Sequence, residues 1–296
     1  MADTKTVLIG GGSGTIGTEL TRQLREAGHT VLVLVRRPAQ TPFERAWDPE
    51  AHWLRVGILD GVDAVVNLSG ASISRLPWTL QYKREILQSR LAATSTLVEA
   101  MAKAERPPSV FVSGSAVGYY GDRPGEVLTE DSAPGDGFLS KVCVAWERAA
   151  APASARSRVV YARTGLVLGQ RGALKPIRML AKVGLAGPLG DGRQHWPWIS
   201  LFDEAAALRH LIESDLSGPV NLVAPTPEPA GDLIRDVAED LGRPYWLPAP
   251  AWAIKLGLAD AGRELLLADQ DVSSARLQSS GFEFRDTTVP EALVAV

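Results

Sequence analysis

Apolar positions along the chain fall into two alternating textures. Residues 6–10 (TVLIG) form a short apolar run ending in glycine, the pattern of a strand covered on both faces. Residues 15–27 follow with Ile16, Leu20 and Leu24 at helical spacing, and Gly28 stands where a helix would stop. Residues 30–35 (TVLVLV) are continuously apolar again. The same texture recurs at 64–68 (AVVNL), 109–113 (SVFVS) and 157–163 (SRVVYAR). Helix-like stretches at 78–104 and 138–151 lie between these runs. Strands alternating with helices predict an α/β protein built on a doubly wound parallel sheet.

Beyond Gly169 the texture changes. Residues 173–183 read as a helix and are followed by a Gly/Pro-rich loop, GLAGPLGDGRQHWPW. A further helix is expected at 202–214 and a last strand at 219–223. From Pro225 the chain is rich in Pro and Trp, with short helices at 230–241 and 251–256. The expected organisation is a nucleotide-binding domain over 1–224, with 170–198 contributing to a substrate lobe, and a smaller C-terminal lobe over 225–296.

Composition narrows the function classes. Of 296 residues, 45% are hydrophobic and 22% charged, with a net charge of −3; this gives no support to a nucleic-acid or membrane-surface partner. The single cysteine, Cys143, excludes an intrachain disulfide and fits a reducing compartment. The start MADTKTVLIG carries no signal or transit pattern, and no apolar run approaches a membrane span. A cytoplasmic protein acting on a small molecule is therefore expected. The four histidines, His29, His52, His195 and His210, show no metal-ligand spacing, so no metal is expected.

The segment GGGSGTIG gives the first chemistry. Gly11, Gly14 and Gly17 follow a strand and open a helix, where glycine admits a pyrophosphate and the helix N-terminus offers free N–H groups. Ser13, Thr15 and Ile16 fall within the same cradle. An NAD-selective site would place an acid at the end of the second strand; here Arg36 and Arg37 stand there. Guanidinium groups match a 2′-phosphate, which points to NADP(H) rather than to solvated strand-end charges. Asn67, Leu68, Ser69 and Gly70 close the strand AVVNL with either a ribose-contacting turn or a plain tight turn.

With these residues the chain resembles the extended short-chain dehydrogenase/reductases of the epimerase/dehydratase group. It is more closely similar to their atypical "epimerase family" members, which carry a C-terminal domain of unknown function. The resemblance rests on GGGSGTIG, AVVNLSG, WTLQYKREILQSR, SGSAVGYYG, RTGLVLG, GPLGDGRQHWPWI and LLLADQDVSSARLQSSGFEFR, which run nearly the whole length. It implies a Rossmann-type NADP(H) fold with a C-terminal substrate lobe, and a homodimer through the helices at 78–104 and 138–151.

By position, the resemblance makes Ser115 the serine that holds a substrate oxygen. The wider superfamily carries Tyr-x-x-x-Lys on the next helix, here DGFLSKVCVAWE; aligned on Glu147, those two positions are Leu139 and Cys143. Neither supplies a proton or a fixed cation, and Lys141 falls on another side of the helix. Tyr119 and Tyr120 are the expected substitutes, with loop packing as the competing reading. Ser113, Arg163, Thr164 and Gly165 are expected near the cofactor, Arg163 either meeting a substrate anion or bracing the loop. Arg90, mid-helix, is expected to meet a cofactor or substrate phosphate unless it forms a surface salt bridge. Arg193, Gln194, His195, Trp196 and Trp198 are expected to line a substrate pocket, and Asp203 to cap the next helix.

Three functions are open at this point: an NADP(H)-dependent oxidoreductase acting on a small carbonyl or carbinol, a non-catalytic NADP(H) redox sensor or scaffold, and sugar-nucleotide epimerase or dehydratase chemistry.

Overall fold

Each apolar run read as a strand becomes one in the computed structural model, which describes residues 4–169 and 174–294. In chain order the first half comprises β1 (Thr6–Gly10), α1 (Thr15–Glu26), β2 (Thr30–Val35), β3 (Glu44–Asp48), β4 (Trp53–Leu54), β5 (Ala64–Asn67), α2 (Leu80–Lys103), β6 (Val110–Ala116), β7 (Val127–Leu128) and α3 (Phe138–Ala150). The second half comprises β8 (Arg158–Thr164), β9 (Leu166–Leu168), α4 (Leu174–Lys182), β10 (His195–Trp196), β11 (Trp198–Ser200), α5 (Leu201–Glu213) and β12 (Gly218–Leu222). The chain ends with β13 (Glu228–Pro229), α6 (Ala230–Asp240), α7 (Ala251–Gly262), β14 (Asp271–Val272), α8 (Ala275–Ser279) and α9 (Val289–Val294).

The main sheet runs in the order β12-β8-β6-β5-β1-β2-β3-β4. All its pairings are parallel except β3 with β4. Because side chains alternate along a strand, β1 sends Val7 and Ile9 to a core shared with α1 and α5, and Leu8 to a second core shared with α2. A third core, with Trp196, Trp198, Leu233 and Val237 at its centre, joins α4, α6 and α9. The strand order reverses between β1 and β5, the topological switch point where this class of sheet binds ligands at its carboxyl edge.

Some elements escape periodicity. β3 reads ERAWD, and its charges disguise an outer strand paired with β2. The helix expected over 251–256 runs on to Gly262 and continues into a π-helical turn at Arg263–Leu267. The expected start of α4 at Ala173 lies outside the described residues. The end of the chain does not stay in its own lobe: Leu277 and Phe282 pack into the first core, and β14 pairs with β7.

Candidate functional site

The glycine cradle joins β1 to α1. Gly11 adopts a φ of +81°, and a Cβ on it would meet the Leu68 carbonyl carbon at 2.8 Å. A Cβ on Gly17 would lie 2.4 Å from Gly11 O, so only glycine lets the helix start so close to the strand end. Gly14 precedes the helix with extended backbone, and no side chain caps the N–H groups behind it. Ile16 packs into the first core, while Ser13 is exposed on the rim.

Beside this turn opens a cavity of about 480 Å³, lined by Gly11, Ser13, Arg36, Arg37, Ser69 and Gly70 among others. The two arginines differ. Arg37 is held bidentately by Glu44, at 2.9 and 2.7 Å, whereas among the described residues no side chain holds Arg36. Asn67 is wholly buried under the turn: its Oδ1 accepts from Ser69 N at 3.2 Å and its Nδ2 donates to Thr94 Oγ1. Asn67 therefore shapes the turn rather than facing the cavity, and Leu68 packs into the core. Ser69 Oγ, by contrast, is buried beside the cavity with no partner.

A second, smaller cavity of about 140 Å³ lies at the carboxyl edge between β6, β8 and α3. Its walls include Arg90, Ala116 to Gly118, Leu139, Cys143, Trp146, Thr164, Gly165, Trp196, Glu264 and Gln270. Leu139 and Cys143 thus occupy the wall that the resemblance assigns to Tyr and Lys. Burial pushes the Cys143 thiol up to about 12, so it is a neutral thiol and not an anion near neutrality. Arg90 stands between the two cavities, with Gly70 against its side chain. One of its terminal nitrogens donates to Ala71 O and Ile86 O, and its guanidinium lies 5.0 Å from the Trp146 ring. Burial works against its charge and lowers its pKa. No carboxylate pairs with it among the described residues, so the surface salt bridge is excluded.

Several expectations are corrected. Ser115 is almost wholly buried, and its hydroxyl donates to Glu147 Oε1 at 2.7 Å, away from the cavity. Arg163 braces rather than binds: it donates to both Glu147 oxygens, at 2.9 and 3.1 Å, and to Tyr120 Oη at 3.0 Å. Burial acts against this guanidinium, but the Glu147 carboxylate overrides it and keeps the charge fixed. Tyr120 is fully buried and donates to Asn221 Oδ1 at 2.6 Å, and burial, opposed by Arg163, pushes its hydroxyl up to about 12; it anchors the loop and does not line the second cavity. Tyr119 lies with its ring 3.6 Å from the Arg163 guanidinium, engaged in the same knot. Ser113 is buried in mid-strand and donates to Gly114 O.

The loop GDGRQHWPW splits in the same way. Only Trp196 and Pro197 of the loop reach the second cavity, and the Trp196 indole N–H is buried without a partner among the described residues. Arg193 points to solvent. Gln194 donates to Leu189 O and Leu266 O, and Trp198 donates to Thr226 O from the third core. His195 pairs with Asp269 at 2.9 Å on the outer side. The loop is chiefly the seam of the lobe. Asp203 is not a cap: Ser200 caps α5, while buried Asp203 accepts from Arg285 N and Asp286 N.

Two carboxyl groups were not legible beforehand. Glu264, from the π-helical turn, accepts from Phe138 N at 2.9 Å and Leu139 N at 2.7 Å, so the lobe caps α3 and closes the second cavity. Glu204, in the first turn of α5, is wholly buried, with its Oε1 2.7 Å from Thr164 Oγ1. Among the described residues there is no group of side chains that would hold a metal ion, and no helix long and apolar enough to cross a membrane.

Comparison with known proteins follows this geometry. Residues 7–223 match the NAD dependent epimerase/dehydratase family, and residues 249–296 match a domain of unknown function, DUF1731. An epimerase family protein of Mycobacterium bovis, Mb2239, is 41% identical over 290 residues, covering 97% of this chain and 96% of its own length. The crystal structure of human epimerase family protein SDR39U1 with NADPH is 34% identical with a TM-score of 0.90, covering 98% of each chain. A nucleoside-diphosphate sugar epimerase from Corynebacterium glutamicum is 34% identical with a TM-score of 0.80, covering 99% of this chain and 58% of that one. The chain belongs to the NAD dependent epimerase/dehydratase family, among the atypical extended short-chain dehydrogenase/reductases called epimerase family proteins.

Proposed function

We propose that this protein is an NADP(H)-dependent oxidoreductase that exchanges hydride with a small carbonyl or carbinol in the second cavity. The carrying observation is the pair of adjoining cavities, one beginning at the glycine cradle and the other ending on Thr164 and Trp196, with Arg90 between them. The residues fit the dinucleotide. The cradle has no room for Cβ atoms at Gly11 and Gly17, and among the described residues Ser69 Oγ has no partner and no side chain holds Arg36, which lines the cavity where it can meet a 2′-phosphate. The NADPH held by the human relative supports the same cofactor.

When bound, the nicotinamide supplies the hydride. The chain supplies orientation and exclusion of water, which account for much of the rate of such a transfer. Arg90 offers the fixed cation that Cys143 cannot, placed to hold ribose or substrate oxygens. The lobe closes the outer wall with Trp196, Pro197, Glu264 and Leu265. A cavity of about 140 Å³ suits a nicotinamide ring and a few further atoms, not a nucleotide sugar. This disfavours epimerase or dehydratase chemistry on such substrates.

A second reading, a cofactor-responsive sensor or scaffold, is favoured by Leu139, Cys143 and the engaged Ser115. Calorimetric titration with NADPH and NADH, followed by NADPH oxidation against a panel of small carbonyls, separates the two. Tighter NADPH binding with turnover supports the enzyme. Selective binding without turnover supports the sensor, and equal or tighter NADH binding refutes the role of Arg36.

A further inference from the structure

Glu204 is a buried acid without a structural duty. It has no exposed surface, and among the described residues its only hydrogen-bond partner is Thr164 and its Oε2 has none. An ionised carboxylate in that position would leave a charged oxygen unpaired in an apolar interior, at a cost of several kcal/mol. A neutral acid leaves only an uncharged oxygen there. Burial accordingly pushes Glu204 up to about 8, the Thr164 hydrogen bond opposing it more weakly.

The oxygens of Glu204 and Thr164 lie 2.7 Å apart, and either can carry the hydrogen between them. With the proton on Glu204 Oε1, the carboxyl donates to Thr164 and the threonine's own hydrogen is freed. Thr164 ends β8 and lines the second cavity beside Gly165, so that hydrogen has the cavity to point into.

We propose that Thr164 and Glu204 form a proton relay into the second cavity, with Thr164 as the catalytic donor and Glu204 as the positioning acid behind it. The relay rests on the oxidoreductase reading. In the reducing direction a reduced nicotinamide dinucleotide delivers hydride to the carbonyl carbon, and the C=O π pair moves onto oxygen. That oxygen takes the Thr164 proton, and Thr164 takes the Glu204 proton. Glu204 stays ionised until water in the emptied cavity returns a proton by the same path. Oxidation runs each transfer backward. The step lost with Leu139 and Cys143 is thereby supplied from β8 instead of α3.

Charged groups on the elements around α5 are committed elsewhere. On β8, Arg158 donates to carbonyls of α5 and the following loop, and Arg163 pairs with Glu147. On α1, Glu19 and Arg22 pair with each other. Asp203, next to Glu204, accepts from the chain's C-terminal segment.

Infrared spectroscopy of the full chain tests the relay without a substrate. At pH 7 the difference spectrum between wild type and Glu204→Gln, from which Glu228 cancels, is expected to hold a neutral carboxylic-acid band titrating near 8. On transfer to heavy water the band should shift at once in the wild type and slowly in Thr164→Val, with Thr164→Ser restoring the fast shift. No acid band, or equal exchange in Thr164→Val, overturns the proposal.

NADPH oxidation with phenanthrenequinone and small aldehydes is the second arm. Both Glu204→Gln and Thr164→Val should lower turnover by about 10²–10⁴-fold, the usual worth of a positioned proton donor. NADPH affinity should be unchanged in Glu204→Gln, which should also lose the alkaline limb of the pH profile. Thr164-dependent exchange with no turnover on any carbonyl refutes the oxidoreductase reading and the catalytic use of the relay together. Turnover that survives both substitutions refutes the relay alone.

Discussion

Replacing Glu204 by Gln should change how stability depends on pH, whatever the protein's substrate. The carboxyl sits at about 8 in the folded chain against 4.5 as its ordinary value. Because the folded state holds the proton more tightly, stability is full below 4.5, falls as pH rises through the window, and levels off above 8. The slope within the window is about 1.4 kcal/mol per pH unit, so wild type should lose roughly 3 kcal/mol between about pH 5 and pH 7.5 through this group alone. Glutamine removes the slope but brings an amide whose donors find one hydroxyl and no other partner, a cost of about 1–3 kcal/mol. The variant should therefore be weaker than wild type at pH 5 and more stable than it by roughly 1–3 kcal/mol at pH 7.5. Urea unfolding of both proteins at pH steps from 5 to 8.5 measures the difference. Glu228, pushed by burial up to about 7, slopes both curves alike and cancels. Parallel curves would mean that Glu204 is ionised when folded, and the reasoning from its orphaned oxygen would fail.

Arg36→Ala should cut the preference for NADPH over NADH by about 10–100-fold, the worth of a charge-assisted contact of about 1.5–3 kcal/mol. Arg37→Ala should cut it less, since Glu44 already holds that side chain; calorimetry with both dinucleotides compares the two. Glu147→Gln leaves the buried Arg163 guanidinium without its counter-charge and should cost about 3–5 kcal/mol, read as a lowered unfolding midpoint in urea. Gly17→Ala places a Cβ 2.4 Å from Gly11 O, so dinucleotide binding should be lost in titration even where the chain still folds.

The sequence was most legible where the chemistry is local. Three glycines at fixed spacing between a strand and a helix specify the cradle because every atom involved lies within a few residues. The cavity wall that Leu139 and Cys143 share was legible for the same reason, since the two are one helical turn apart. Legibility fails where partners are far apart along the chain. Ser115 looked free to hold substrate because nothing near it in sequence shows that Glu147 claims its hydroxyl, 32 residues later. Tyr120 is claimed by Asn221, 101 residues away. Glu264 meets Phe138 across 126 residues. Glu204 was hidden differently: an acid in the first turn of a helix is what the helix dipole favours at the surface, and only burial shows that this one is not there for the dipole.

The tie between Asp203 and the chain's C-terminal segment also bears on how the protein is made. Asp203 accepts from Arg285 N and Asp286 N across 82 and 83 residues, while Leu277 and Phe282 complete the core under β1. A ribosome delivers these pieces long after the sheet strands, so the sheet emerges with part of its apolar face uncovered and a buried acid waiting for its donors. Domains generally fold in the order of synthesis, and contacts between distant segments are slow to form. Here the core under β1 cannot be completed until residues 277–282 have followed the sheet strands out, so the apolar face of the sheet waits on a segment far along the chain.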